Sequence, residues 1–168
     1  MELEFKYIRR TGRLYNGGNE TLKYIIETAQ VFDDSDDNEI NAFYREIGDA
    51  CESFCKNELM ERVCKEGFSN KYSYTLKSSV TQCRDNVLSV LLRAELKNGR
   101  KRVSEFVFSN VWSISDRCLM SNKDLVKKYA KNRKIKPQGD FIVKNGELTR
   151  LSDVDVEENM SNRKNNQG

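Results

Sequence analysis

The sequence contains no histidine, which excludes several common kinds of functional site at once. Catalytic triads and general bases that depend on imidazole cannot form, and neither can HExxH zinc sites. Long hydrophobic runs are also absent, since none approaches the ~18–20 residues that span a bilayer. The first ten residues, MELEFKYIRR, lack the basic start and continuous apolar stretch of a signal peptide. We therefore expect a cytoplasmic protein with no membrane association.

The five cysteines are an odd number and do not resemble the paired framework of a secreted, disulfide-rich protein. Cys51 and Cys55 stand one helical turn apart, a spacing that could present two thiolates to a metal ion. Cys64 would lie on the opposite side of an ideal helix from Cys55, so these residues do not close a four-ligand site. We predict reduced, mostly buried thiols and no metal or cofactor.

Catalysis without histidine would depend on Cys, Lys, Tyr, Asp or Glu alone, and no spacing of these residues forms a recognisable site. The pair Gly17-Gly18 lacks the downstream Lys-Ser/Thr of a phosphate-binding P-loop. The sequence therefore predicts no catalytic residues and a protein that is not an enzyme.

The chain has 168 residues, of which 38% are hydrophobic and 33% charged. This length suits one domain with a single core, and the composition predicts a heavily charged surface. The apolar pattern stops after Leu151, and the chain ends in the polar stretch SNRKNNQG. We expect one α+β domain over residues 1–151 and a disordered tail over residues 152–168.

Alternating apolar and polar residues predict several strands. Residues 3–7 and 22–27 alternate in this way and are expected to pair as a hairpin, although a helix is the competing interpretation of the second segment. Three further strands, at residues 72–80, 87–96 and 101–114, are separated by short polar turns. They predict an antiparallel meander.

The strongest pattern in the chain is a long amphipathic helix over Asp36–Gly67. Asp36 suits the N-cap, and Glu39 completes a capping box. A shorter helix is expected over Asn122–Lys131, followed by a small hairpin over residues 141–151. The apolar positions of the long helix recur at three- and four-residue steps and are Ile40, Phe43, Tyr44, Ile47, Cys51, Phe54, Cys55, Leu59 and Val63.

Together these elements predict an α+β fold, in which an antiparallel sheet packs on one long helix with a short second helix beside it. The sheet would consist of the three-stranded meander plus the hairpins. The third meander strand is apolar on both faces, which favours a central position, with Phe106, Phe108 and Trp112 in the core. The helix is expected to pack on the sheet through the face formed by Phe43, Ile47, Cys51 and Phe54.

A basic segment follows the sheet, with seven basic residues in fourteen positions and only Asp124 against them. On a helix, several of these residues would line one face and could contact the phosphates of a polyanion. A solvated helix face has the same spacing, and no aromatic platform accompanies the charges. The candidate polyanion-binding residues are Lys123, Lys127, Lys128, Lys131, Arg133, Lys134 and Lys136.

Three segments carry a resemblance to a known family: NEINAFYREIGDACESFCKNEL, YSYTLKSSVTQCRDNVLSVLLRAEL and FSNVWSISDRCLMSNKDLV. Over roughly residues 20–151 the sequence resembles uncharacterised bacterial proteins related to the domain of unknown function in the anti-sigma factor RsiV and the peptidoglycan deacetylase PdaC. The Gly-Gly-Ala-His stretch of that family is replaced here by residues 97–101.

The resemblance implies an α+β domain with no catalytic residues to carry over. In PdaC-like enzymes the deacetylase activity belongs to another domain, and in RsiV-like proteins the domain senses a protein ligand. The sequence therefore favours a non-catalytic binding or regulatory module with an unknown protein partner. The alternative is binding of nucleic acid or another polyanion through the basic segment at residues 123–136.

Overall fold

The computed structural model describes residues 3–32, 38–66, 70–129 and 134–161. Among these residues, no helix is both long enough and apolar enough to cross a membrane. The large sheet contains β1 (Phe5–Asn16), β2 (Asn19–Val31), β3 (Tyr72–Arg84), β4 (Val87–Asn98), β5 (Lys101–Ser113) and β6 (Cys118–Leu119). The other elements are α1 (Glu39–Phe54), a π-helical turn (Cys55–Leu59), α2 (Met60–Lys65), α3 (Asn122–Tyr129), β7 (Phe141–Lys144), β8 (Glu147–Arg150), a 3₁₀ turn (Leu151–Asp153) and α4 (Val156–Ser161).

The six-stranded sheet is mixed and strongly curled, with its strands in the order β1-β2-β3-β4-β5-β6. Neighbouring strands run antiparallel except β2 and β3, which pair in parallel with Leu22 opposite Tyr72. A parallel pair needs a crossover connection, and α1, the π-helical turn and α2 lie in that connection. The predicted antiparallel sheet on one long helix is therefore wrong, although the molecule is α+β overall.

The helical segment is anchored to the end of β2 by two asparagines. The side chain of Asn38 caps α1 by accepting a hydrogen bond from the Asn41 amide at 2.8 Å. The Asn41 side chain accepts from the Val31 amide at 2.9 Å and donates to the Val31 carbonyl at 3.0 Å. These bonds fix where the helix begins relative to the sheet. The N-cap predicted from the sequence, Asp36, lies outside the described residues.

The predicted face of the helix packs on the sheet, but it is one flank of a wider apolar stripe. Phe43, Ile47, Cys51 and Phe54 are partly buried against the core, and the Phe43 and Phe54 rings contact Trp112 and Tyr74 of the sheet. The sequence period shows the stripe but does not show which of its positions become fully buried. The fully buried apolar positions are Ile40, Tyr44, Cys55, Leu59 and Val63.

Strand β4, and not β5, is the strand buried on both faces. Leu88, Val90 and Leu92 pack in the core between the sheet and the helical segment. On the opposite face of β4, Val87 meets a second core, which α3 and the β7–β8 hairpin cover, and the Ser89 hydroxyl accepts a 2.9 Å hydrogen bond from the Val143 amide. Residues 101–114 therefore do not form the central strand that the sequence predicted. The second core contains Val87, Val111, Leu125, Phe141 and Val143.

A short helix, α4, lies within the segment predicted to be a disordered tail. The Ser79 hydroxyl donates to the Asn159 carbonyl at 3.2 Å, and the Lys144 ammonium donates to the Asn159 side-chain oxygen at 2.8 Å. These bonds hold α4 against the outer face of the sheet, which is the face opposite the helical segment. Residues 162–168 lie outside the described part of the chain.

Candidate functional site

The structure brings only part of the basic segment together. Lys123, Lys127 and Lys128 lie exposed on α3, while Lys134 and Lys136 follow in irregular structure. A single helical stripe that reaches Lys134 is therefore not formed. The other two candidates, Lys131 and Arg133, lie outside the described residues.

The surface beside α3 carries both signs of charge. An open cavity of about 800 Å³ is lined by Lys127 and Lys128, but also by the carboxylates Asp85 and Asp124. The Lys128 ammonium lies 5.7 Å from the centre of the Tyr129 ring. Mixed charge of this kind weakens the attraction that a polyanion needs.

A cluster of thiols and phenols lies where α1 meets the sheet. The Tyr74 hydroxyl donates to the Cys51 sulfur at 3.7 Å. Burial raises the pKa of Cys55 to about 12, and nearby Cys51 and Glu52 act in the same direction. Burial also raises the pKa of Tyr24 to about 12, assisted by its 2.8 Å hydrogen bond to Glu52. A thiol that stays protonated at neutral pH is a poor nucleophile.

The five cysteines differ in exposure more than the sequence suggested. Cys55 is buried, Cys118 is exposed, and the other three are half-buried. The expectation of mostly buried thiols is therefore wrong. Within the described residues, no group of three Cys, Asp or Glu side chains is placed to hold a metal ion.

A second cavity, of about 180 Å³, lies between β1, β2 and α1. Its charged wall includes Arg10, which donates to Asp49 at 2.5 Å and to the Arg45 carbonyl at 3.3 Å. The Arg10 guanidinium crosses the helix at Gly48, where an added Cβ would stand 3.0 Å from Nη2. Because Arg10 is already committed to α1, its evident role is to hold β1 to the helix.

The outer face of β4 and β5 holds a network of ion pairs. Arg93 contacts Glu95, Glu105 and Glu157, each at 2.8 Å, and Arg102 contacts Glu95 at 2.8 Å. Burial alone would raise the pKa of Glu95, but the Lys97 hydrogen bond and the neighbouring arginines lower it overall. The network ties α4 to the sheet and engages Arg102 and Glu105 of β5.

Of the five large apolar side chains that are exposed among the described residues, three lie on β5 or on the adjoining β6. Val103 is 52% exposed and Phe106 65%, and Leu119 on the adjoining β6 is 47% exposed. The Phe106 and Phe108 rings lie 5.5 Å apart and are tilted by 35°. The sequence placed these phenylalanines in the core. Only Trp112 of the predicted aromatic set is buried there.

The backbone of this edge is also open. Among the described residues, β6 pairs only with Trp112 and Ser113, so the rest of β5 has no strand on its outer side. The Met120 amide donates to the Val111 carbonyl at 2.8 Å, which shows that Val111 directs its main-chain groups outward. In an antiparallel ladder this direction alternates, so Ser109, Val107 and Glu105 also direct their N–H and C=O groups outward.

Comparisons with known proteins support the fold only. No family model and no curated protein matches the sequence. A DUF3298 family protein from Bacteroides fragilis has a similar structure, with a TM-score of 0.52 and 12% identity over 73% of this chain and 60% of that one. For a DUF3298 family protein from Pseudomonas aeruginosa the TM-score is 0.49 and the sequence identity is 13%, over 73% of this chain and 56% of that one.

This chain thus spans about 60% of the length of these solved structures. The likeness to the Bacteroides fragilis protein is one of fold. The comparisons support similarity to an uncharacterised family. They do not show the relation to RsiV and PdaC that the sequence resemblance implied.

Proposed function

We propose that this protein is a non-catalytic binding module that takes an extended segment of a partner protein along the open edge of β5. The exposed edge, with Val103 and Phe106 on it, is the observation that carries the proposal. An added strand would gain main-chain hydrogen bonds from the outward-directed residues, and pockets between alternate side chains would supply specificity.

Natural sheets normally protect such an edge with charges, prolines or bulges. Here the protection covers only the beginning of the strand, where Lys101 and Arg102 stand and the register shifts opposite Leu96 and Lys97. The following residues are mostly Val, Phe and Ser, and the one charge among them, Glu105, is paired with Arg93. Exposed apolar side chains such as Val103 and Phe106 beside an open strand edge are typical of an interaction site.

The non-catalytic part of the proposal rests on the chemistry of the candidate groups. The thiols that the sequence placed on one helix turn, Cys51 and Cys55, both have their pKa raised by burial. The guanidinium groups of Arg10 and Arg93 are engaged in ion pairs that hold elements together. These features support a structural role for each group.

Polyanion binding through Lys123, Lys127 and Lys128 is the alternative. The carboxylates of Asp85 and Asp124 beside these lysines do not favour it. Binding of mixed-sequence DNA or RNA at about 50 mM salt that is lost at about 200 mM would favour the alternative.

The proposal is tested by selecting binders from a random-peptide display library on the full chain. We expect extended peptides with aromatic or β-branched residues at alternate positions. Val107→Pro should weaken their binding at least about tenfold, because it removes an outward N–H without removing a bond to β4. Tyr15→Lys, on the opposite edge of the sheet, is the matched control and should bind as the parent does. Peptides that bind Val107→Pro as tightly as the parent would contradict the proposal.

A further inference from the structure

We infer that the strand which pairs with the β5 edge is β5 of a second copy of this chain, so that two curled sheets join into one. This inference rests on the proposed function, since it names the occupant of the same edge. It is carried by the symmetry of the edge, by its side-chain pattern and by its charges.

The open stretch of β5 is bounded on both sides. On one side, Val103 is the extra residue of a bulge, because Arg102 lies opposite Lys97 and Ser104 opposite Leu96. On the other side, the Val111 carbonyl is already occupied by the Met120 amide. Residues 104–110 therefore have no strand on their outer side among the described residues, with Val107 at their centre and three residues on either side.

An antiparallel pair of identical strands is related by a two-fold axis, and here that axis would pass beside Val107. Val107 would then face Val107 of the second copy, and Glu105 would face Ser109. These three residues direct their main-chain groups outward, so each of the resulting pairs exchanges two hydrogen bonds. The free stretch is thus complementary to itself over its whole length.

The same register brings the exposed aromatic side chains together. Phe106 faces Phe108 of the second copy on the helix side of the sheet, with Cβ atoms about 4.5–5.5 Å apart. The existing tilted pair of rings would become a cluster of four. This pairing covers Phe106, which has the largest exposed fraction of the large apolar side chains among the described residues.

The charges of the strand also suit this register. Glu105 faces a neutral serine, while Lys101 and Arg102 lie outside the paired stretch. Centring the pair on Glu105 would place two carboxylates opposite each other, and like charges in that position are destabilising. If the two-fold axis passed beside Phe106, Ser109 would face the bulge residue Val103 of the second copy. The hydrogen-bonded pair that Ser109 makes with Glu105 in the proposed register would then be lost.

A contact made mainly by one strand from each copy lies at the small end of specific interfaces, so we expect a dissociation constant of about micromolar order. Sedimentation velocity of the full chain from about 1 to about 200 µM should show a monomer–dimer equilibrium. Phe106→Lys and Val107→Pro should shift it to monomer over this range. Tyr15→Lys, exposed on β1, should dimerise as the parent does.

Cross-linking tests the register in a Cys118→Ser background, which removes the exposed native thiol. Val107→Cys should form an intermolecular disulfide on mild oxidation, because hydrogen-bonded cross-strand pairs have Cα atoms about 5.5 Å apart. Phe106→Cys faces Phe108 of the second copy and should remain reduced.

A parent chain that is monomeric over the whole range would overturn this inference, as would a dimer that Phe106→Lys and Val107→Pro leave intact. Disulfide formation at residue 106 in place of residue 107 would also overturn it. The proposed function fails by a different result, which is peptide binding that does not depend on Val107. A monomer that binds peptides through Val107 would therefore refute the inference alone.

Discussion

Replacing Tyr44 by Phe should lower the free energy of unfolding by about 1–3 kcal/mol, which is the usual cost of leaving a buried polar group without its hydrogen-bond partner. The Tyr44 side chain is fully buried, and its hydroxyl accepts a 2.9 Å hydrogen bond from the Trp112 indole. It also donates to the Asn110 side chain at 3.3 Å. These bonds join α1 to β5, so the substitution leaves the indole N–H unpaired at the centre of the core.

The ring contacts around this hydroxyl should survive the change. Phe43 packs edge-on against Trp112 at 5.0 Å, and Tyr44 does so at 6.1 Å. Phe keeps the ring of Tyr and removes only the oxygen, so no large cavity forms and the measured loss reports the hydrogen bonds.

Trp112 is the only tryptophan in the chain, so its fluorescence reports directly on this contact during urea unfolding. Tyr15→Phe, which removes an exposed hydroxyl, is the matched control and should change stability by less than about 0.5 kcal/mol. If Tyr44→Phe and Tyr15→Phe shift the midpoint equally, the hydrogen bonds contribute nothing and the reasoning is refuted.

Three further outcomes are expected. Ellman's reagent at pH 8 should modify exposed Cys118 first and buried Cys55 only on unfolding, and equal rates would contradict the described burial. The pKa of Cys55 is raised from 9.0 to about 12 in the folded protein, so the thiol of the unfolded chain ionises at lower pH. The free energy of unfolding should therefore fall as the pH rises from 9.0 to about 12. Cys55→Ala should reduce this slope in pH-dependent urea unfolding, and an unchanged slope would refute the assignment. Gly48→Ala should raise the melting temperature more in an Arg10→Ala background than in the parent, because Arg10 occupies the space of the new methyl group; equal shifts would contradict that contact.

The local elements could be predicted from the sequence because they depend on short-range periodicity. The alternation at residues 72–80 and 87–96 corresponds to β3 and β4, and the three- and four-residue steps after residue 39 correspond to the helical segment. The parallel junction of β2 and β3 could not be predicted in this way. It depends on where the crossover packs on the sheet. The bonds between Asn41 and Val31 fix where that crossover begins, and a contact between residues ten positions apart leaves no periodic signal.

The position of β5 shows a second limit of sequence reasoning. Val103, Phe106 and Phe108 are apolar whether they fill a core or form an exposed contact surface, so hydropathy alone does not separate the two cases. The charged pair Lys101-Arg102 at the beginning of the strand was the available sign of an edge. The candidate site therefore became visible only when the neighbour of each strand was known.

The two outer edges of the sheet differ in a way that determines the kind of assembly it can form. The exposed side chains of β1 include Lys6, Arg9 and Arg13, and charged residues of this kind discourage strand addition. On β5 the centre of the open stretch is apolar. If both edges accepted strands, head-to-tail pairing would extend into filaments. With only the β5 edge available, pairing of identical edges closes after two copies, so the same feature that permits association also limits it to a dimer.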